Sequence, residues 1–430
     1  MKKILLASAA WLLTLAPFYS AAQSARSLIE ENPERAGGIY YAYPESEIDS
    51  IDIKLPKGYK PFYISHYGRH GSRYLISDKD YIRLIERLED ASQAGALTMR
   101  GELLKRQLDT IWTEARGRGG ELTPLGTRQH RSIARRATKA YPEIFTDGAR
   151  ITAASTPVMR CAHSMFAFIE GIKEFNPALD IPRESAERNL IYLNYHSPES
   201  GPYSSEKGPW FQDFKRFKAQ KTHPERLIKD IFSNEDYVSQ WVDTSDFMWD
   251  LYWLAVDMQN METDIDLLPL FTTQELYDLW EVANYNFFAC NSSYPRAKGL
   301  HIANARNLVK HIIEQADSYI ADGAHGATLR FGHDGNIIPL TALMQLENCY
   351  SDAERPEDLA SGYANFLISP MASNVQLIFF RPENSTADDV LVRVMLNERD
   401  IKLPVQAVEN GKLYRWQDLR KHLVTIACDR

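Results

Sequence analysis

The sequence predicts an α/β protein: a mixed central sheet with helices on both faces, plus an inserted smaller all-helical domain. Three observations carry this expectation. First, the apolar runs at 61–67 (PFYISHY), 151–154 and 327–331 read as buried strands, and each runs into a polar or charged loop that opens a helix. Second, the runs at 375–380 and 390–396 near the carboxyl end read as an antiparallel pair. Third, the stretch 175–322 lacks strand pattern. It carries aromatic-rich helical segments at 241–258 and 273–288, and it ends in a stripe of Ile302, Ala305, Leu308, Val309, Ile312, Ile313 and Ala316 at helical spacing.

Taken in order, the chain divides into a signal peptide at 1–22, the first part of the α/β domain at 23–174, the helical insertion at 175–322 and the second part of the α/β domain at 323–430. Lys2 and Lys3 precede an apolar run from Ile4 to Phe18, broken only by Ser8, Thr14 and Pro17, and Ser20, Ala21 and Ala22 supply small residues for cleavage before Gln23. The run is shorter than the ~20 apolar residues a bilayer span needs. The expectation is a soluble mature protein, periplasmic or secreted, with no membrane association after cleavage.

Residues 23–60 read as an irregular lead-in and 78–115 as polar helix. Thr123 reads as an N-cap with Pro124 at the first helical position, opening a basic helix that runs to about Lys139. Ser155, Thr156 and Pro157 read as the cap of the next helix, which carries Arg160 in its first turn. Gly323 to Gly326 breaks the preceding helix before the third strand.

Composition bounds the function. The 430 residues are 44% hydrophobic and 25% charged, which is ordinary for a large globular core. With Lys2 and Lys3 removed, 47 basic residues face 57 acidic ones. That acidic balance excludes nucleic acid as the main partner, so an anionic substrate must be captured by a local basic cluster. The four cysteines, Cys161, Cys290, Cys349 and Cys428, match no zinc spacing and allow up to two disulfides, with Cys161 favoured as a buried thiol. No His, Asp and Glu cluster shows metal-ligand spacing, and no cofactor is expected.

Arg69, His70 and Arg73 lie within five residues, flanked by Gly68 and Gly71. Arginine forks match phosphate oxygens, a neutral imidazole beside them attacks phosphorus, and glycines let backbone N–H groups approach an anion. Arg160 adds a third guanidinium at a helix start, and Gly332-His333-Asp334 adds a cationic donor and an acid. Ligands bind outside the carboxyl ends of strands in open α/β sheets, so the three loops are expected to converge on one crevice roofed by the insertion. Among the remaining residues, His66 reads as core or as support for the site, His130 as part of a solvated basic helix face with Arg128, Arg131, Arg135 and Arg136, and His325 as structural. Lys207 and Lys215, in the insertion, are candidates to line the pocket, as is Tyr74 directly after Arg73.

This constellation resembles the histidine phosphatase superfamily in its acid phosphatase and phytase branch. The Arg-His-Gly-x-Arg signature stands as Arg69-His70-Gly71-Ser72-Arg73, the His-Asp pair as His333-Asp334, and the segments 122–126 and 155–160 resemble the second phosphate-binding region. The Arg-His-Gly-Ser-Arg-Tyr run and the Leu-Thr-Pro-Leu-Gly-Thr-Arg-Gln-His segment are most similar to the multiple inositol polyphosphate phosphatases. That subgroup typically has its acid two residues after the histidine. Here that position is Gly335, so the resemblance places the proton donor on Asp334.

The resemblance implies a phosphoglycerate mutase-like sheet, a phosphohistidine on His70, phosphate held by Arg69, Arg73, Arg160 and protonated His333, and no metal. It implies a small anionic phosphate ester as substrate, with inositol polyphosphates such as phytate foremost. The alternatives are sugar phosphates or nucleotides as substrates, or a phosphate-binding protein without catalysis.

Overall fold

A computed structural model describes residues 24–48, 54–194, 196–382, 389–408 and 411–428, and the expected signal segment at 1–22 lies outside them. Its centre is an eight-stranded mixed sheet of β1 (Tyr59–Arg69), β2 (Arg150–Ser155), β3 (Arg183–Ser185), β4 (Gly326–Gly332), β5 (Asn374–Pro382), β6 (Leu391–Leu396), β7 (Arg399–Asp400) and β8 (Leu413–Arg415). The order is β3-β2-β4-β1-β5-β6-β7, with β8 paired to β6. β1, β2, β3 and β4 are parallel, and β5 runs antiparallel to β1 and to β6, the β5–β6 pair being the one the two apolar runs near the carboxyl end predict.

Both faces of the sheet are covered. On one, Ile133 and Ala134 of the helix Pro124–Ala140 and Met165, Phe168 and Ile172 of the helix Met159–Phe175 pack on Ile64, Ile151, Leu329 and Phe331. On the other, Leu308, Ile312 and Tyr319 of Arg306–Ala321 and Leu419 and Leu423 of Trp416–Cys428 pack on Tyr63, Tyr67 and Phe379. This explains why β1 and β4 read as continuous apolar runs: strands buried on both faces have no solvent side to alternate toward.

Thr123 caps its helix as expected, its hydroxyl accepting from Gly126 N at 3.2 Å, with Pro124 at the first position. The expected cap at Ser155–Pro157 is corrected: Val158 is the N-cap of Met159–Phe175 and offers no side-chain bond. The Ser155 hydroxyl donates to Thr156 O, and the Thr156 hydroxyl turns toward His333.

A third apolar cluster packs across the expected domain limits. It joins Leu84 and Leu88 of Asp78–Gln93, Leu104 and Leu108 of Met99–Ala115, Leu251 and Leu254 of Thr244–Asp257, and Leu279 and Trp280 of Thr273–Asn291, with Ile29 added from the lead-in. The helices at 78–115 therefore belong to the helical unit rather than to the α/β domain. The helix Arg306–Ala321, expected in the insertion, belongs to the sheet, and the insertion contributes β3. A helical stripe shows that a helix packs, but not which surface it packs on.

All four cysteines are free thiols, Cys161 and Cys349 buried, so neither of the two allowed disulfides is formed. Among the described residues no helix is long and apolar enough to cross a membrane, and no group of His, Cys, Asp and Glu is arranged to hold a metal.

Candidate active site

β2, β4 and β1 are adjacent, and their register places Ser155 opposite Phe331 and Arg69 opposite Gly332. Their carboxyl ends are therefore level. His70 N donates to Gly332 O at 2.9 Å and Thr156 N to Phe331 O at 3.1 Å, which locks the three loops together. The imidazoles of His70 and His333 meet edge to face with centroids 5.8 Å apart.

The loop after β1 is held from behind. Ser72 N donates to Gln129 Oε1 at 2.9 Å, Gln129 Nε2 donates to Ser72 Oγ at 2.8 Å, and Gly71 N donates to Ser164 Oγ at 3.1 Å. Gly71 is required by close approach rather than by a positive φ: a Cβ there would lie 2.5 Å from Gly126 O.

The guanidinium groups are poised for an anion. Arg69 is fully buried, with Nη1 donating to Ile39 O at 2.6 Å and Ser369 O at 2.8 Å. Its Nε and Nη2 have no hydrogen-bond acceptor, although Nη2 lies 3.6 Å from Asp334 Oδ1. Arg73 donates through Nη1 to Tyr74 O at 2.8 Å, rests over the Tyr40 ring at 4.6 Å, and leaves Nε without an acceptor. Arg160 lies at the start of its helix with Nη1 3.5 Å from Gly120 O. Buried donors without acceptors are costly, by ~1–3 kcal/mol or more for charged groups, and are retained where a ligand completes them.

His70 is buried and its Nδ1 lies 3.0 Å from Gly71 O. That carbonyl accepts from Nδ1–H, which leaves Nε2 as the bare nitrogen. Burial first, then the charges of Arg69, Arg160, Arg73 and His333, hold its imidazolium form well below the usual histidine range. A neutral nucleophile amid fixed positive charge is the result.

His333 N donates to Tyr67 Oη at 3.1 Å, Nε2 lies 3.2 Å from Thr156 Oγ1, and the Cys161 thiol donates to Gly332 O at 3.2 Å beneath the ring. Burial and then Arg160 push the His333 imidazolium down despite Asp334, and the charge of a bound phosphate acts in the opposite direction, toward the protonated form expected when substrate is held. Asp334 opens the helix Asp334–Leu343 and keeps 22% side-chain exposure toward the pocket. Burial raises its carboxyl, but Arg69, His333 and Arg73 outweigh this and the net shift is downward.

The structure thus brings Arg69, His70, Arg73, Arg160, His333 and Asp334 together. It does not bring in the other three candidates. Tyr74 is buried, its hydroxyl donating to Glu114 at 3.0 Å and accepting from Arg118, whose guanidinium covers the ring at 4.4 Å. Lys207 and Lys215 are exposed, Lys215 lies over Phe211 at 5.2 Å, and no hydrogen bond or ion pair joins either to a site residue. His66 is core as expected, against Phe168 and Phe331. His130 is corrected from a solvated residue to a buried one against Phe331, while its arginine neighbours form ion pairs with Glu262, Glu170, Glu174 and Glu398. His325 bonds Thr146 at 3.0 Å, a structural place.

Four residues escaped sequence reasoning. Tyr40 comes from the lead-in, Asp257 and Asn260 from the helical unit, and His196 from an exposed loop whose carbonyls at Leu193 and Asn194 are tied to Asn336. His196 lies within the electrostatic reach of Asp334 and His333. None carries a motif; only proximity in space identifies them.

Comparison with known proteins agrees with this geometry. The sequence profile of the histidine phosphatase superfamily (branch 2) matches residues 68–397. The fold is similar to the multiple inositol polyphosphate phosphatase of Bifidobacterium longum crystallised with inositol hexasulfate, at 19% identity and a TM-score of 0.71 over 90% of this chain and 97% of that one. It is also similar to the phytase of D. castellii, at 15% identity and a TM-score of 0.71 over 93% and 86% of the two chains. The Klebsiella sp. ASR1 phytase is more distant, at 14% identity and a TM-score of 0.54 over 86% and 96%. No curated protein sequence matches significantly.

Proposed function

This chain belongs to the histidine phosphatase superfamily, branch 2, and from that membership we propose an exported acid phosphatase that transfers phosphoryl groups from inositol polyphosphates, phytate foremost, to water through His70. The observation that carries the reading is the buried His70 imidazole, with Nδ1 tied to Gly71 O and the guanidinium charges of Arg69, Arg160 and Arg73 acting on the ring.

The phosphate oxygens accept from Arg69, Arg73 and Arg160 and from the His333 imidazole. His70 Nε2 attacks phosphorus in line; the P–N bond forms and the P–O ester bond breaks. Asp334 gives its proton to the departing alkoxide. Water then attacks the phosphohistidine, its proton returns to Asp334, the P–N bond breaks, and inorganic phosphate leaves. Neutralisation and positioning by fixed donors supply most of the remaining rate. The lowered Asp334 carboxyl is protonated in the acid range, and a bound phosphate raises it, so turnover belongs to the acid side of neutrality.

Export rests on the segment at 1–22 and inositol polyphosphates on the resemblance of the two motif runs. The alternative reading is a narrower substrate, a sugar phosphate or a nucleotide. A phosphate-release panel with phytate, sugar phosphates and an aryl phosphate decides between them. Release of several phosphates per phytate supports the first reading, and release confined to sugar phosphates or nucleotides supports the second. His70→Ala is expected to abolish both turnover and acid-quench trapping of labelled phosphate on the protein; retention of either removes His70 as nucleophile.

A further inference from the structure

Behind the phosphate loop, the helical unit reaches the site through one buried turn. Asn260 is fully buried and makes three hydrogen bonds: its Oδ1 accepts from Ser72 Oγ at 2.6 Å, and its Nδ2 donates to Tyr40 O at 2.8 Å and to Asp257 Oδ1 at 3.1 Å. Ser72 is in turn bonded to Gln129. A continuous buried chain therefore runs Gln129–Ser72–Asn260–Asp257, joining the basic helix, the phosphate loop and the helical unit. It ends on a carboxyl group that is 0% exposed and whose Oδ2 accepts no hydrogen bond.

The charged and titratable groups acting on this carboxyl are Arg73 from the loop and Tyr81 from Asp78–Gln93, beside the Leu75 N–H, and the Tyr40 ring stacks on Arg73. Arg73 follows Ser72 directly, so the chain that ends on this carboxyl holds the residue beside it; Asp257 makes no ion pair with Arg73 and acts on it through space. Nothing in the catalytic cycle uses Asp257, yet a buried carboxylate without a directly bonded cation is expensive and needs a reason.

We propose that Asp257 and Asn260 form a positioning device for the Ser72–Arg73 limb of the phosphate loop, and that the Asp257 carboxylate competes with the anionic substrate for Arg73. The inference rests on the phosphatase reading of this site. In the acid range Asp257 is neutral and Arg73 is wholly available to the substrate. As Asp257 ionises, it neutralises Arg73 and repels a dianion. Burial, opposed by Arg73 and the Asn260 bond, pushes the carboxyl up to about 7, so the change falls across neutrality. The device adds a second acid preference, acting on affinity, to the one Asp334 imposes on the chemical step.

The test is sulfate binding by titration calorimetry on the full-length mature protein. Sulfate keeps its double charge through this pH range, and binding needs no turnover, so the result is independent of the hydrolysis assay. Absence of hydrolysis would sink the catalytic reading alone. Wild type is expected to lose up to about tenfold in sulfate affinity between pH 6 and 8, the limit for one group titrating near 7. Asp257→Asn, near-isosteric and uncharged, is expected to match wild type at pH 6, to stay within about twofold up to pH 8, and to bind more tightly than wild type there. Equal weakening of this variant at every pH would reduce Asp257 to a packing role and overturn the proposal. So would a wild-type affinity that does not change from pH 6 to 8, a measurement that stands even if the variant fails to fold. Asn260→Ala, which severs the chain while keeping both charges, is expected to raise KM several-fold with a smaller change in kcat; an unchanged KM overturns the positioning role.

Discussion

Asp334 shows what one residue must do and how to test it. An alkoxide leaves poorly without a proton, whereas a nitrophenolate leaves unaided, so the acid matters in proportion to the leaving group's basicity. Asp334→Asn is expected to lose ~10²–10⁴-fold on alkyl phosphates and far less on p-nitrophenyl phosphate; equal losses on both would remove Asp334 as the acid. Burial raises its carboxyl, but Arg69, 3.6 Å away, with His333 and Arg73, outweighs burial and holds it below the usual range. Activity should therefore decline as pH rises past neutrality, and a flat profile to pH 9 would contradict the role. At this scale the residues that gather in the candidate site were legible in the sequence, because the signature residues are consecutive or nearly so. Tyr40, Asn260 and Asp257 were not, because each acts across a long separation, 188 residues between Ser72 and Asn260, through groups that are common in any chain.

The elements show how backbone contact replaces flexibility. The loop after β1 works because Gly71 lies against the first turn of the helix Pro124–Ala140, not because it adopts a left-handed conformation. Gly71→Ala must push the loop or that helix aside, moving His70 relative to Arg160. The expectation is a loss of ~10²-fold or more in kcat/KM with far-UV circular dichroism unchanged, since misplacement by about an ångström suffices for such a loss. Near-wild-type activity would show that the contact yields. The main strands were legible from their double-sided burial. β3, three residues long, was not, because so short a strand carries no period. The cap at Ser155 and Thr156 was misread because the same hydroxyls that suit a cap were used to orient the strand end and His333.

For the whole molecule, buried histidines set the response to acid. His66, His130 and His311 are each pushed down to about 3, by burial above all, from an ordinary value of 6.5. They are neutral when folded and protonated when unfolded below pH 6.5, so the unfolded chain binds more protons there and stability falls as pH drops from 6.5 toward 3. Asp257 works in the opposite sense: its folded value is raised, so its contribution is lost as pH rises from about 4 to about 7. Three histidines outweigh one carboxyl, and the melting temperature is expected to climb from pH 4 to pH 6.5. A flat or falling curve would mean that these imidazoles are not held neutral. With four free thiols, a reductant should leave that temperature unchanged. The molecule's division into units was the least legible feature in the sequence. Periodicity locates the helices at 78–115 and 306–321, but the partner of each stripe is decided by tertiary packing alone.

Similarity to the family begins at residue 68, one position before the signature. The chemistry begins earlier. The carbonyl of Ile39 accepts a hydrogen bond from Arg69 Nη1, the ring of Tyr40 stacks on Arg73, and the carbonyl of Tyr40 accepts from Asn260 Nδ2. A chain trimmed to the recognisable portion would keep every signature residue but lose most of β1 and one of the two acceptors of the Arg69 Nη1. The candidate site is thus completed by residues upstream of the stretch that matches the family, and the upstream segment belongs to the enzyme as much as the motif does.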